Sequence, residues 1–156
     1  MANDIKFEAP TVALTSILTT TLNALANATT DLSAAIDNSS NLCTFMDLEL
    51  TLASLDLSAQ SNPSVAIYLV ESVDGGSDYE TGEDAQSADI EMPTADQLCA
   101  VFGLRKSDAA EAKLRVKSMI PIPPGHFKLL LRNNTGVAFA ATGNTLAYRT
   151  YNMAIV

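Results

Sequence analysis

The chain has no tryptophan, a single histidine and two cysteines among its 156 residues, and these scarcities remove several kinds of chemistry at the outset. His126 is the only imidazole available as a catalytic base. It follows Pro124-Gly125 directly and begins an apolar run, and no G-x-S-x-G element supplies a nucleophile elsewhere. One histidine and two cysteines far apart in sequence are too few ligands for zinc or another soft metal. Phosphate-binding glycine loops and dinucleotide fingerprints are also missing. The absence of tryptophan takes away the usual stacking platform of a sugar-cleaving site. The chain is therefore expected to be non-enzymatic, with no catalytic residues, no cofactor and no bound metal.

Basic side chains are scarce too. Nine lysines and arginines stand against eighteen acids, for a net charge of -9 and a pI near 4.3, so nucleic acid is not an expected partner. The distribution is uneven: residues 1–104 hold sixteen acids against Lys6 alone, whereas residues 105–156 hold eight basic side chains against Asp108 and Glu111. Strands from the two halves either interleave and cancel, or leave a dipolar molecule suited to packing against copies of itself. No apolar run reaches the roughly 18 residues of a membrane span, and the first residues lack a signal-peptide pattern. Folding in a reducing cytoplasm with no membrane partner is the expectation, with Cys43 and Cys99 as buried free thiols in apolar strand-like runs.

What the sequence has in quantity is short β-patterned segments. Met46, Leu48, Leu50 and Leu52 alternate with Asp47, Glu49 and Thr51, the two-residue period of a half-buried strand. Val65–Val70 is β-rich and apolar throughout, as in a strand covered on both faces. Lys113–Ile120 alternates again, with Leu114 and Val116 expected inward and Lys113, Arg115 and Lys117 outward. Pro121, Pro123, Pro124 and Gly125 then make a stiff corner, after which Phe127, Leu129 and Leu131 share a face. Further strands are expected at 12–20, 32–37, 97–104, 137–141 and 145–153. The core is expected to hold Leu48, Leu50, Ile67, Leu69, Leu114, Val116, Phe127, Leu129 and Leu131. Together these segments predict an all-β fold, an antiparallel β-sandwich of jelly-roll kind with about eight to nine strands, with a six-stranded or more open barrel as the alternative.

Two segments stand outside this pattern. Residues 1–10 read as an extended N-terminal arm on a single domain spanning 11–156. Its Ile5 and Phe7 lie on a piece too short to bury them locally, and Pro10 divides it from the first strand. Ile5, Phe7 and Pro10 are thus candidate interface residues. Residues 71–96 form a long acidic loop with Gly75, Gly76 and Gly82. The run Asp74–Asp84 offers hard oxygen ligands, but it departs from the EF-hand spacing and is expected to be solvated rather than metal-bound.

The segments Asp37-Asn-Ser-Ser-Asn41, Asp47–Leu55, Tyr68–Gly75 with Tyr79, and Ile122–Gly136 resemble virion structural proteins of tailed bacteriophages, specifically small β-sandwich capsid decoration or cement proteins. The resemblance is diffuse and extends over residues 30–155. It implies a structural protein that binds the outside of the capsid and stabilises it, assembled in the host cytoplasm and located on the virion surface. Its implied partners are the major capsid protein and copies of itself, as a homotrimer. A carbohydrate-binding or host-recognition module, and a neck or tail component of the virion, remain open alternatives.

Overall fold

The computed structural model describes residues 5–7, 13–80, 93–107 and 110–155. Its strands are β1 (Ile5–Phe7), β2 (Thr15–Leu18), β3 (Thr30–Leu32), β4 (Ile36–Asp37), β5 (Phe45–Leu55), β6 (Ser64–Ser72), β7 (Leu98–Gly103), β8 (Glu111–Pro121), β9 (His126–Asn134), β10 (Thr145–Tyr151) and β11 (Met153–Ile155). Single 3-10 turns lie at Thr20–Leu22 and Ala95–Gln97.

Two antiparallel sheets form a β-sandwich. One has the order β2-β10-β5-β8; the other has β3-β9-β6-β7, with β4 also paired to β9. Counting only the strands of these two sheets, β2 to β10, and taking β3 and β4 as one interrupted strand, the eight pair first with last, second with seventh, third with sixth and fourth with fifth. That nesting is the jelly-roll wrap, a long antiparallel ribbon folded over on itself.

The core follows from the two-residue period. Leu48, Leu50 and Leu52 of β5 face Ile67 and Leu69 of β6 and Phe127, Leu129 and Leu131 of β9, all in one buried cluster. A second, smaller cluster lies on the outer face of the β9–β6 sheet, where Leu32, Val70, Tyr79 and Leu130 are buried. This second layer explains why Phe127–Leu131 are buried without a break. Lys128 is covered there with its Nζ 4.0 Å from the centre of the Tyr79 ring.

Loops at the two ends are fixed by buried asparagines whose amides are satisfied. Asn38 donates to the carbonyls of Cys43 and Pro123, while its amide oxygen accepts from the Cys43 N–H. It thereby ties the β4–β5 crossover to the proline corner between β8 and β9. At the other end Asn133 donates to Leu25 and Val137 and accepts from Thr135. Asn144 links Ala53, Asn23 and Ala140. Each of these three amides is paired, so none of them is desolvated at a loss. Gly136 has φ +89°, and a Cβ there would lie 1.8 Å from the Gln60 side chain, so that turn requires glycine.

Several sequence expectations need correction. Leu114 and Val116, expected in the core, are exposed at 61% and 53%, while Lys113 is buried. The cause is a β-bulge. Met46 pairs with Ile120 and Leu48 with Lys117, so β8 spends three residues where β5 spends two. Ile120 remains inward, and the extra residue reverses the parity of everything before it. Leu114 and Val116 then sit opposite Thr51 and Glu49 on the outer face. Met119, inside the bulge, has φ +61°, and its N–H donates to Asp47 Oδ1 at 3.3 Å and to the Tyr151 hydroxyl at 3.1 Å. Arg149 completes the group, with its Nε and Nη2 3.0 and 2.8 Å from Asp47 Oδ2.

Residues 137–141 are a loop rather than a strand, since the Val137 carbonyl is taken by the side chains of Asn133 and Thr135. The last strand breaks at Asn152, whose side chain accepts from Thr44, and β11 turns away to pair with β1. The expected strand at 32–37 is two short pieces, β3 and β4, separated at Ser33, whose hydroxyl accepts from the Leu129 N–H.

Truncation of Leu129 to alanine should cost about 2–5 kcal/mol, whereas Leu114→Ala and Val116→Ala should each change stability by about 0.5 kcal/mol or less. Chemical denaturation of the three variants checks this.

Asp47 gives a pH-dependent counterpart. Burial pushes its carboxyl up, but the hydrogen bonds from Arg149, Tyr151, Met119 and Ser118 outweigh that and hold it below the ordinary value of 3.8. The pairing therefore stabilises the fold fully above the unfolded-state value and is lost as pH falls through the lower folded one. Asp47→Asn should destabilise by about 1–3 kcal/mol at neutral pH, and the gap from wild type should close in acid. A gap independent of pH would contradict this.

Candidate functional site

The end of the sandwich that carries the β4–β5, β6–β7 and β8–β9 connections holds an open cleft of about 760 Å³. Its floor includes Leu69, Cys99 and Pro121, and its walls carry the carboxylates of Glu71, Asp78, Glu80 and Asp96, with no basic side chain among the lining residues. Local chain chemistry places these groups. Asp74 accepts from the Ser72 hydroxyl and from the N–H groups of Ser77 and Asp78, folding the start of the acidic loop into a tight turn. On the opposite wall the Gln97 side chain accepts from the Thr94 N–H and donates to Glu80 Oε2 at 3.2 Å.

The described residues contain no group of three or more acids, histidines or cysteines close enough to hold a metal ion. Residues 81–84, the rest of the calcium candidate, lie outside the described residues. Cys99 is a free thiol, as is Cys43. It is directed at the Ile67 carbonyl at 3.4 Å, and burial pushes its pKa up to about 12, which leaves little thiolate for nucleophilic chemistry at neutral pH.

His126 lies next to this end of the sandwich. Its Nε2 is 3.5 Å from Asp37 Oδ1, and β-pairing sets it opposite Ser72. Ser72, however, directs its hydroxyl proton to Asp74 and accepts from the Gly76 N–H. The hydroxyl is thus committed to the turn rather than to the imidazole, and the nucleophile–base hydrogen bond of a triad is not formed.

A second surface runs along the side of the sandwich from this cleft. Among the described residues β8 ends its sheet and pairs with β5 alone, so one row of its backbone groups has no strand neighbour there. Leu114, Val116 and Met119 are exposed along it, as are Arg115 and Lys117. Lys113 at its start is buried, with its ammonium on Ser107 and Glu111. β7 ends the other sheet on the same side, with Leu98 and Val101 exposed. The strands of the acidic and basic halves do interleave, since β5 lies between β10 and β8. Charge separation nevertheless survives locally, positive on mid-β8 and negative in the cleft.

Of the three candidate interface residues, Ile5 and Phe7 lie in β1, which pairs antiparallel with β11 of the same chain: Ile5 with Ile155 and Phe7 with Met153. The arm thus has a strand partner within its own chain, which the sequence reading did not foresee. Pro10 falls outside the described residues. The β8 edge was missed because its alternation was read with the wrong parity; no local signal in residues 113–120 announces the bulge. The chain matches no protein-family model, and no curated protein matches it.

Separated carboxylates predict weak cation binding. Calcium added at millimolar concentration to chelator-treated protein should leave the Tm nearly unchanged, because only a ligand bound preferentially by the folded state raises it. A rise of many degrees would show that the cleft and the acidic loop gather around the ion.

Proposed function

We propose that this chain is a non-enzymatic virion structural protein that binds the outside of a phage capsid, together with copies of itself, and stabilises the shell. The observation that carries the reading is the β8 edge, a strand paired on one side only among the described residues and carrying exposed leucine, valine, methionine and cationic side chains. The bulge and the cations blunt the edge against further strand pairing, and the exposed Leu114, Val116 and Met119 that remain fit side-chain contacts covered in an assembly. The resemblance of residues 30–155 to cement proteins supports the same reading. The jelly roll is compatible with it, being an architecture shared by viral coat and lectin domains, although the fold alone assigns no function. The reading places the protein on the virion surface with the major capsid protein as its partner.

A second reading, a glycan- or host-recognition module, draws on the loop-end cleft, since concave sites of several hundred Å³ suit small ligands. Binding to shells separates the two. Purified protein added to capsids lacking it should co-sediment with them at saturable stoichiometry and raise the temperature at which they rupture. Failure to bind shells, with retention on a glycan surface, would replace the first reading with the second.

A further inference from the structure

We propose that two copies of this chain associate antiparallel along the β7–β8 side of the sandwich, with the basic row of each β8 seated against the acidic cleft of the other. The inference rests on the reading of the chain as self-associating and names the surface and symmetry involved.

Pro121 lines the cleft, and Lys117 and Arg115 precede it by four and six residues on the same strand. At about 3.3 Å per residue the cationic row lies roughly 13–20 Å from the cleft, on the same side of the molecule. Poles on opposite sides would suit head-to-tail rings. Poles displaced along one side are self-complementary under a two-fold axis between them, where each positive row meets the other copy's negative cleft.

Register narrows the arrangement. An antiparallel pairing of two β8 strands centred on Val116 would set Arg115 of each opposite Lys117 of the other, which repels. A centre near Met119 instead brings Lys117 of each copy opposite Pro121 of the other, at the mouth of its cleft, within reach of Glu71 and Asp78. Met119, 52% exposed at the bulge, then lies at the centre of the contact, where an apolar anchor contributes most. Val73, fully exposed at the cleft rim, and the half-exposed Leu98 add apolar surface on the side that Lys117 approaches, while Val116 and Leu114, on the opposite face of β8 from Lys117, border the contact from the outer side. Arg115 and Lys117 are exposed and have no ion-pair partner among the described residues, so no existing pair must break first. The first oligomer is then a dimer rather than the trimer that the resemblance implies, and it should weaken as salt shortens the screening length from about 8 Å at physiological strength to about 3 Å at 1 M.

The test is sedimentation velocity of the full chain at up to about 0.1 mM, a range that captures a Kd of that order. Wild type is expected to dimerise. R115E/K117E should raise the dimer Kd about tenfold or more, E71K/D78K should do the same, and the four substitutions combined should restore association by reversing both poles. All four positions are exposed, and circular dichroism checks that each variant folds. A monomeric wild type, a trimer, an R115E/K117E variant that dimerises normally, or a failure of the combined variant to recover would each overturn the proposal. A monomer that still binds capsids would sink this contact and leave the shell reading standing. A charge-sensitive dimer that ignores capsids would do the reverse.

Discussion

The amide of Met119 is held by two side chains from neighbouring strands, the carboxylate of Asp47 and the hydroxyl of Tyr151, and much of the molecule's outward character depends on that contact. It stabilises one extra residue in β8. A non-glycine residue at positive φ is costly, on the order of 1 kcal/mol or more, so the bulge persists because buried partners specify it. Arg149 supports Asp47 from behind, and β10 is thereby coupled to the β5–β8 pair. Without the bulge, Leu114 and Val116 would continue the inward row set by Ile120, and the sheet would end in an ordinary amphipathic strand. With it, the apolar residues turn outward and the cationic ones face the overhanging margin of the sandwich.

How much was legible in the sequence follows from the same point. The alternation Met46–Leu52 identified β5 and its buried face because its pairing with β10 runs without a shift and the extra residue where Met46 and Leu48 pair with β8 is in β8. Val65–Val70 and Phe127–Leu131 were recognisable as apolar strands, and the nested pairing of a jelly roll was within reach of strand count and spacing. Residues 113–120 also gave the correct element but the inverse face. Parity is a global property of register, and a single bulge anchored by residues 47 and 151 changes it without leaving a mark in the local pattern. The same limit hid the loop at 137–141: its apolar composition resembles a strand, and the side chains of Asn133 at the end of β9 and of Thr135 take the Val137 carbonyl out of any ladder.

The candidate surfaces were less legible than the fold. The acidic content of residues 71–96 was plain, but the separation of Glu71, Asp78, Glu80 and Asp96 around a cleft depends on β6 and β7 being paired and on the turn closed by Asp74. Likewise, the opposition of charge between the two halves of the sequence only partly survives folding, because strands of both halves share sheets. It persists where β8 overhangs and where the loop end opens. An edge strand with exposed apolar side chains beside opposed local charges is the physical basis for reading this chain as a component of an assembly.

The most direct test of the account is the reactivity of a thiol placed at Val116→Cys, followed by peptide mass over a range of protein concentrations. The bulge predicts labelling in dilute native protein at a rate comparable to the denatured chain, because the side chain points outward, and slower labelling as copies associate. Strong protection in the dilute, folded protein would mean that Val116 faces the core, and both the bulge and the surface derived from it would fail.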